Sequence, residues 1–244
     1  MTGGRRGTAR ASLSFSFAAL ILLSYIPLKI AQHDSPSTQL AIFLLSSVLI
    51  YVGAAILFRD SENGRIMTAA ISVIFVLYLA ILVNFTVFDG NFGRERADGA
   101  ALETYADYFG KRVNLIPFKM IYRQTKGLIS GTYRPVFYIT NIAGNLAAFA
   151  PTAFFLPALF KKCRKFGFFF LTVSALIVAI EALQFFLKVG SMDIDDYILN
   201  IIGASAAFAL LSTASGKRLT SYTLRPSRRT GDGGKNNKGN RSLI

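Results

Sequence analysis

The sequence predicts an all-α protein, a polytopic bundle of about six transmembrane helices with both termini in the cytoplasm. Of its 244 residues, 52% are hydrophobic and only 16% are charged, which is too apolar for the surface of a soluble protein of this size. Several windows reach the roughly 20 apolar residues needed to cross a hydrocarbon core of about 30 Å. The apolar runs are continuous and lack the alternation of a transmembrane barrel, so helices are predicted.

Basic residues between the apolar segments set the predicted orientation. Arg and Lys cluster before the first segment, between the second and third, between the fourth and fifth, and after the sixth. Because cytoplasmic loops collect positive charge, these loops are predicted to be cytoplasmic and the alternate short loops to face outward. The six predicted segments are 11–31, 37–58, 66–88, 136–160, 165–187 and 196–214.

The same pattern divides the chain into three parts. Residues 1–65 are predicted to form an N-terminal two-helix membrane region, and residues 66–214 a membrane domain with an outer loop at 89–135. The loop carries eight basic residues, which the charge rule tolerates in long loops, and its aromatic clusters predict a short interfacial or re-entrant helix. Residues 215–244 form a basic cytoplasmic tail with almost nothing to bury, which predicts disorder.

The net charge of +14 does not indicate nucleic-acid binding, because the basic residues lie in loops and in the tail rather than on one surface. It indicates membrane topology and attraction to a membrane surface, so the lipid bilayer is the expected partner. Cys163 and His33 are the only residues of their types. We therefore expect no intrachain disulfide, no His-based metal site and no Ser/His triad, and no cofactor can be assigned.

Polar residues in the last three segments fall on single helix faces, because they are spaced three or four residues apart. They are Asn141 and Asn145 in the fourth segment, Glu181 and Gln184 in the fifth, and Asp193, Asp196 and Asn200 in the sixth. With the predicted topology, all of them lie in the outer half of the membrane. A carboxylate in hydrocarbon costs at least ~2.5 kcal/mol, so Glu181 is expected to face protein or water.

A polar pocket that opens to the outer surface satisfies all three stripes. Hydrogen-bond partners for Glu181 would come from the neighbouring stripes, and a positive charge from Lys188 or Arg112 of the outer loops. The alternative is structural: Asn and Gln side chains join membrane helices, and Asp193 or Asp195 caps the last segment.

Small residues and prolines predict how the segments pack. Gly144 with Ala148, and Gly203 with Ala207, repeat small residues at four-residue spacing, which predicts close approach of helix backbones. Pro151 and Pro157 in the fourth segment predict a bend, because proline frees a backbone carbonyl.

Three blocks of sequence together resemble the VanZ-like membrane family, named for a teicoplanin-resistance protein. The blocks are NLIPF at 114–118, NIAGNLAAFAPTAFFLP at 141–157, and EALQ at 181–184 followed by DIDDYILNIIG at 193–203. They occur in the family's order over roughly residues 70–214. The resemblance implies a membrane protein linked to resistance against lipoglycopeptide antibiotics. The family usually carries Arg three residues before the first Asp of the last block, where this chain has Gly190.

Three functions are compatible with these features. The leading hypothesis is a bacterial cytoplasmic-membrane protein, not an enzyme, whose outer-leaflet pocket binds or shields an amphiphilic envelope ligand, such as a lipid-linked precursor or a glycopeptide. The second is an enzyme acting on a lipid headgroup, with Asp193, Asp195 and Asp196 holding a divalent cation. The third is a proton-coupled transporter that uses Glu181. The candidate ligand-binding residues are Asn114, Pro117, Phe118, Asn141, Asn145, Glu181, Gln184, Asp193, Asp196 and Asn200.

Overall fold

The computed structural model of the chain describes residues 2–30, 35–61, 64–88 and 104–213, and most of these residues are helical. In chain order the elements are α1 (Thr2–Ile30), α2 (Pro36–Ser61), α3 (Gly64–Val83), a π-helical turn (Asn84–Phe88), α4 (Tyr105–Arg112), β1 (Val113–Asn114), α5 (Lys119–Ile129), α6 (Pro135–Ala148), α7 (Thr152–Leu159), a 3-10 turn (Lys161–Arg164), α8 (Phe166–Leu187), β2 (Met192–Asp193) and α9 (Ile194–Ser212). The predicted all-α class is confirmed.

Five stretches of the described residues are long and apolar enough to cross a membrane. They are Ser37–Phe58, Arg65–Val87, Tyr138–Leu159, Phe166–Leu187 and Ile194–Ser212, and they match the last five predicted segments. The first predicted segment falls in α1, whose apolar stretch Arg10–Leu23 is shorter. A sixth span and the cytoplasmic location of both termini therefore stay predictions. The predicted tail at 215–244 lies outside the described residues, as does the part of the outer loop before residue 104.

The fourth span is broken into two helices. α6 ends at Ala148 and α7 begins at Thr152, with Pro151 between them. The Tyr78 hydroxyl of α3 donates a hydrogen bond to the carbonyl oxygen of Ala148 at 2.6 Å, so a carbonyl at the break has a partner. The interruption expected from proline is thus confirmed at Pro151 but not at Pro157, which lies inside α7. A neighbouring helix compensates for the interrupted backbone hydrogen bonds.

The apolar core lies where α3, α7, α8 and α9 pack together. Phe155 of α7 stacks with Tyr78 at 5.8 Å between ring centroids, and Phe169 of α8 stacks on Phe208 of α9 at 4.5 Å. Such aromatic pairs add packing energy beyond their buried area. The core therefore fixes α8 and α9 against each other, and these two helices carry most of the acidic candidate residues.

α6 and α9 approach most closely at Gly203. A Cβ atom at this position would lie 1.8 Å from the carbonyl oxygen of Leu146, so only glycine fits. The packing role expected of Gly203 is confirmed. The same expectation for Gly144 is wrong, because a Cβ atom there would meet nothing within 4 Å and the residue is exposed. Both glycines belong to stripes of small residues, but only Gly203 of α9 lies against the backbone of a neighbouring helix.

The described part of the outer loop, from residue 104 onward, contains two short helices where one was expected. α4 is fastened to the chain between α8 and β2, because the Tyr108 hydroxyl donates to the carbonyl oxygen of Gly190 at 2.9 Å. α5 presents Tyr122 and Ile129 to the exterior beside the exposed cations Lys119 and Arg123. Aromatic and basic side chains on one exposed helix surface are typical of helices at the membrane–water interface.

The two glycines give a matched test of helix packing. We expect Gly203→Ala to destabilise the protein by about 1–3 kcal/mol, because the new methyl group overlaps the α6 backbone. Gly144→Ala should stabilise it by up to about 1 kcal/mol, because alanine favours a helix interior and the position is open. Thermal unfolding in detergent, followed by circular dichroism, measures both. Equal effects of the two substitutions would contradict the close approach of α6 and α9.

Candidate functional site

The start of α9 carries three carboxylates that contact three different elements. We call Asp193, Asp195 and Asp196 the aspartate corner. All three are buried. Asp193 is the N-cap of α9, and its Oδ1 accepts the backbone N–H of Asp195 at 2.9 Å. The capping alternative for Asp193 is thus confirmed, although it does not exclude a second role for this residue.

Asp195 caps a helix from a distant part of the chain. Its Oδ1 accepts the backbone N–H of Phe118, and its Oδ2 accepts those of Met120 and Ile121 at 2.8 and 3.0 Å. These donors lie at the N-terminus of α5, where backbone N–H groups lack partners within the helix. The carboxylate also complements the positive end of the α5 dipole. Asp195 therefore anchors the outer loop to the membrane domain.

The NLIPF block builds this connection rather than a ligand surface of its own. Asn114 pairs with Asp193 where β1 lies parallel to β2, and its side-chain Nδ2 donates to Asp193 Oδ1 at 3.0 Å. Phe118 adopts a left-handed conformation with φ of 63°, which turns the chain into α5. Its side chain is exposed, as is Pro117. Ligand binding by these residues stays a prediction, since their observed contacts are structural.

Asp196 joins α9 to α6. Asn145 donates its Nδ2 hydrogen to Asp196 Oδ1 at 2.5 Å. The meeting of the polar stripes in the fourth and sixth segments, predicted from their spacing and the predicted topology, is confirmed by this bond. Asn141 lies one turn from Asn145 on α6, and Asn200 lies one turn from Asp196 on α9, so both share the α6–α9 interface.

Three amides on helices that pack against one another have buried oxygens without a hydrogen-bond partner among the described residues. They are Asn141 Oδ1 of α6, Asn200 Oδ1 of α9 and Gln124 Oε1 of α5, and we call them the acceptor cluster. Asn200 is 5% exposed and Gln124 is 7% exposed, and α5, α6 and α9 pack against one another. An amide oxygen in an apolar environment without a donor costs about 1–3 kcal/mol.

α8 places its two polar residues on a protein-facing stripe. Glu181 and Gln184 are 5% and 1% exposed and continue the buried positions Phe169, Val173 and Ile177. Glu181 therefore faces protein, as expected from the cost of exposing a carboxylate to lipid. Gln184 donates its Nε2 hydrogen to the carbonyl oxygen of Thr86 at 2.5 Å. This bond connects α8 to the π-helical turn rather than to α6 or α9. That Glu181 and Gln184 share one pocket with the polar stripes of α6 and α9 therefore stays a prediction.

Gly190 stands where the family usually carries Arg, and the basic residues near this position have other contacts. Gly190 has a φ of +70°, a conformation that glycine adopts at little cost. Lys188 places its ammonium nitrogen 4.6 Å from the centre of the Tyr105 ring, a cation–π contact. The basic group close enough to lower the pKa of Asp193 is Arg123 of α5. Pairing of Lys188 or Arg112 with Glu181 remains a prediction.

The geometry does not support a metal site at the aspartate corner. Within the described residues, no group of three or more His, Cys, Asp or Glu side chains is arranged to hold a metal ion. The three carboxylates instead accept N–H groups from β1, α5 and α6. The hypothesis of a carboxylate-bound divalent cation therefore loses its structural basis.

The site contains residues that the sequence did not indicate. Gln124 was missed because it lies in a loop predicted only coarsely, although Met120, Gln124 and Gly127 follow a helical spacing and form the buried face of α5. Asn84 and Thr86 were missed because a π-helical turn leaves no clear sequence signature. π-helical turns occur often at functional sites.

The model of the VanZ/LLP1 family matches residues 75–215 of the chain. This range contains the aspartate corner, the acceptor cluster and α8. No match is found among curated proteins or solved structures. The family assignment therefore rests on the family model and on the sequence blocks described above.

Asp193 gives a pH prediction. Burial raises the pKa of its carboxyl above the usual value, while hydrogen bonds from Asp195 and Asn114 and the charge of Arg123 oppose this rise. A pKa that is higher in the folded than in the unfolded state contributes stability below the unfolded pKa, and that contribution is lost as pH rises through the folded pKa.

We therefore expect the stability of the native protein relative to Asp193→Asn to increase as pH falls from neutral toward 4. Asparagine keeps the cap of α9 but does not titrate. The melting temperatures of both proteins across this range measure the difference. A difference that stays constant or shrinks on acidification would contradict the raised pKa.

Proposed function

The chain belongs to the VanZ/LLP1 family, and on that premise we propose that it binds the polar head of an amphiphilic envelope molecule at the acceptor cluster. The observation that carries the proposal is the set of buried, unpartnered amide oxygens on α5, α6 and α9. Each oxygen accepts hydrogen bonds only, so the ligand group that completes it must be a donor. Hydroxyl, amide and amine groups fulfil this requirement.

The class of ligand follows from the surroundings of the cluster. Two of its three helices, α6 and α9, belong to apolar spans, so a ligand that reaches it from the bilayer needs an apolar part. With the predicted topology the cluster lies in the outer half of the membrane, where lipid-linked precursors of the cell envelope expose sugar and peptide donors. Such a molecule combines an apolar tail with many hydroxyl and amide N–H groups.

Access to the cluster is favoured at its α6 edge. Asn114, Asn141 and Asn145 are partly exposed, whereas Asp195 and Asn200 are buried. A ligand headgroup that enters along α6 would meet Asn141 first and Asn200 last. The aspartate corner would hold the helices in register while its carboxylates remain bonded to protein N–H groups.

A role in glycopeptide resistance follows as part of the proposal. If the site binds a lipid-linked precursor, it shields the precursor from an antibiotic that targets it; if it binds the antibiotic, it withdraws the drug from the membrane. Expression of the native protein and of Asn200→Leu in a susceptible bacterium tests this role. Equal drug susceptibility of both strains, at equal protein levels, would contradict it.

Asn200→Leu is the direct test of the binding site. Leucine has a similar size but no acceptor oxygen, so we expect affinity for a lipid-linked disaccharide-peptide precursor to fall about tenfold, equivalent to about 1.4 kcal/mol. The same substitution should raise thermal stability, because it removes an unpartnered polar atom from the core. Binding is measured with the protein reconstituted in nanodiscs.

Thr172→Val is the matched control. Its hydroxyl already donates within α8 to Phe168 at 2.7 Å, so its loss should leave ligand affinity unchanged. If Asn200→Leu keeps full affinity, or if it destabilises the protein as the loss of a satisfied hydrogen bond would, the proposed site is wrong.

A further inference from the structure

A cavity lies between α1, α2 and α3, and none of its lining residues belongs to the acceptor cluster's helices. Its volume is about 650 Å³, within the range of small-molecule sites. Its walls are apolar and include Leu22 of α1, Ile42 and Phe43 of α2, and Val76 and Ala80 of α3. The lining residues of α3 and the π-helical turn run from Val76 to Asn84, which corresponds to a length of about 12 Å at 1.5 Å per residue.

One end of the cavity is polar. Gln39 of α2 and Asn84 of the π-helical turn line it, and Asn84 Nδ2 donates to Gln39 Oε1 at 2.6 Å. Gln39 lies two residues inside the span that starts at Ser37, and Asn84 lies three residues before the end of the span at Val87. The amide pair therefore lies at one end of both spans, and the apolar part of the cavity extends from there toward the middle of the membrane.

We propose that this cavity is a binding site for a membrane phospholipid, with one acyl chain between α1, α2 and α3 and its ester carbonyl at Asn84. The combination of an apolar channel and a terminal amide pair matches the polarity of an ester-linked acyl chain. An amide group has two N–H donors, so Asn84 can bond both Gln39 and an ester carbonyl. Filling the cavity gives its apolar walls the dispersion contacts that an empty space lacks.

The lipid site adjoins the candidate functional site through the π-helical turn. Asn84 opens this turn, and two residues later the carbonyl of Thr86 accepts the hydrogen bond from Gln184 of α8. The lipid proposal does not depend on this link or on the proposed function, because it uses only the cavity and its amide pair.

Native mass spectrometry of the full chain tests the proposal. Protein purified in a delipidating detergent is incubated with phosphatidylglycerol, and the fraction that retains one lipid is recorded under increasing collisional activation. We expect the native protein to retain one phospholipid. Ala80→Phe and Ile42→Phe, which fill the cavity from two different helices, should each lower the retained fraction at least about tenfold. Asn84→Leu should weaken retention to a smaller extent.

The control is Val73→Phe, seven residues from Ala80 on the same face of α3, where the side chain is 48% exposed and does not line the cavity. It should retain lipid like the native protein, and so should Asn200→Leu, which separates this test from the binding test above. The proposal is overturned if the native protein retains no phospholipid, or if both cavity-filling variants, folded by circular dichroism, retain as much as Val73→Phe.

Discussion

The aspartate corner is the interaction on which the rest of the membrane domain depends. Asp195 and Asp196 are adjacent in the first turn of α9, so their side chains diverge by about 100° around the helix. One therefore reaches the N-terminus of α5, and the other reaches Asn145 of α6. Asp193, just before the helix, caps α9 and bonds Asn114. One short run of carboxylates thus positions three elements around a single helix end.

This arrangement explains why the site tolerates so many polar groups inside apolar spans. Buried carboxylates are costly unless hydrogen-bonded, and each of the three accepts N–H donors from protein. The acceptor cluster differs, because its amide oxygens have no donor among the described residues. The contrast separates positions that hold the fold from positions open to a ligand, although all of them appear as similar polar residues in the sequence.

The sequence predicted the features that depend on length and spacing. The apolar runs located the five long spans, and the stripes of Asn145 and Asp196 predicted the contact between α6 and α9. It could not predict that Asp195 binds backbone N–H groups of α5, because backbone donors carry no sequence signal. Nor could it separate Gly203 from Gly144: identical spacing shows that a face is flat, but not that another helix packs on it.

The π-helical turn has a structural role beside the proposed lipid site. Asn84 and Gln39 close the lipid cavity, while Thr86 fixes Gln184 on the stripe that carries Glu181. α1 and α2 lie outside the range that the family model matches. α2 packs against α3, which extends into that range.

Amide hydrogen exchange at Met120 and Ile121 tests the aspartate corner most directly, with Val173 and Ile177 of α8 as internal references. In Asp195→Leu, which keeps a similar side-chain size but removes both acceptor oxygens, we predict at least about tenfold loss of protection at both α5 amides, unchanged protection in α8, and no change in the exposed control Asp107→Asn. Full protection of Met120 and Ile121 in Asp195→Leu would contradict the account.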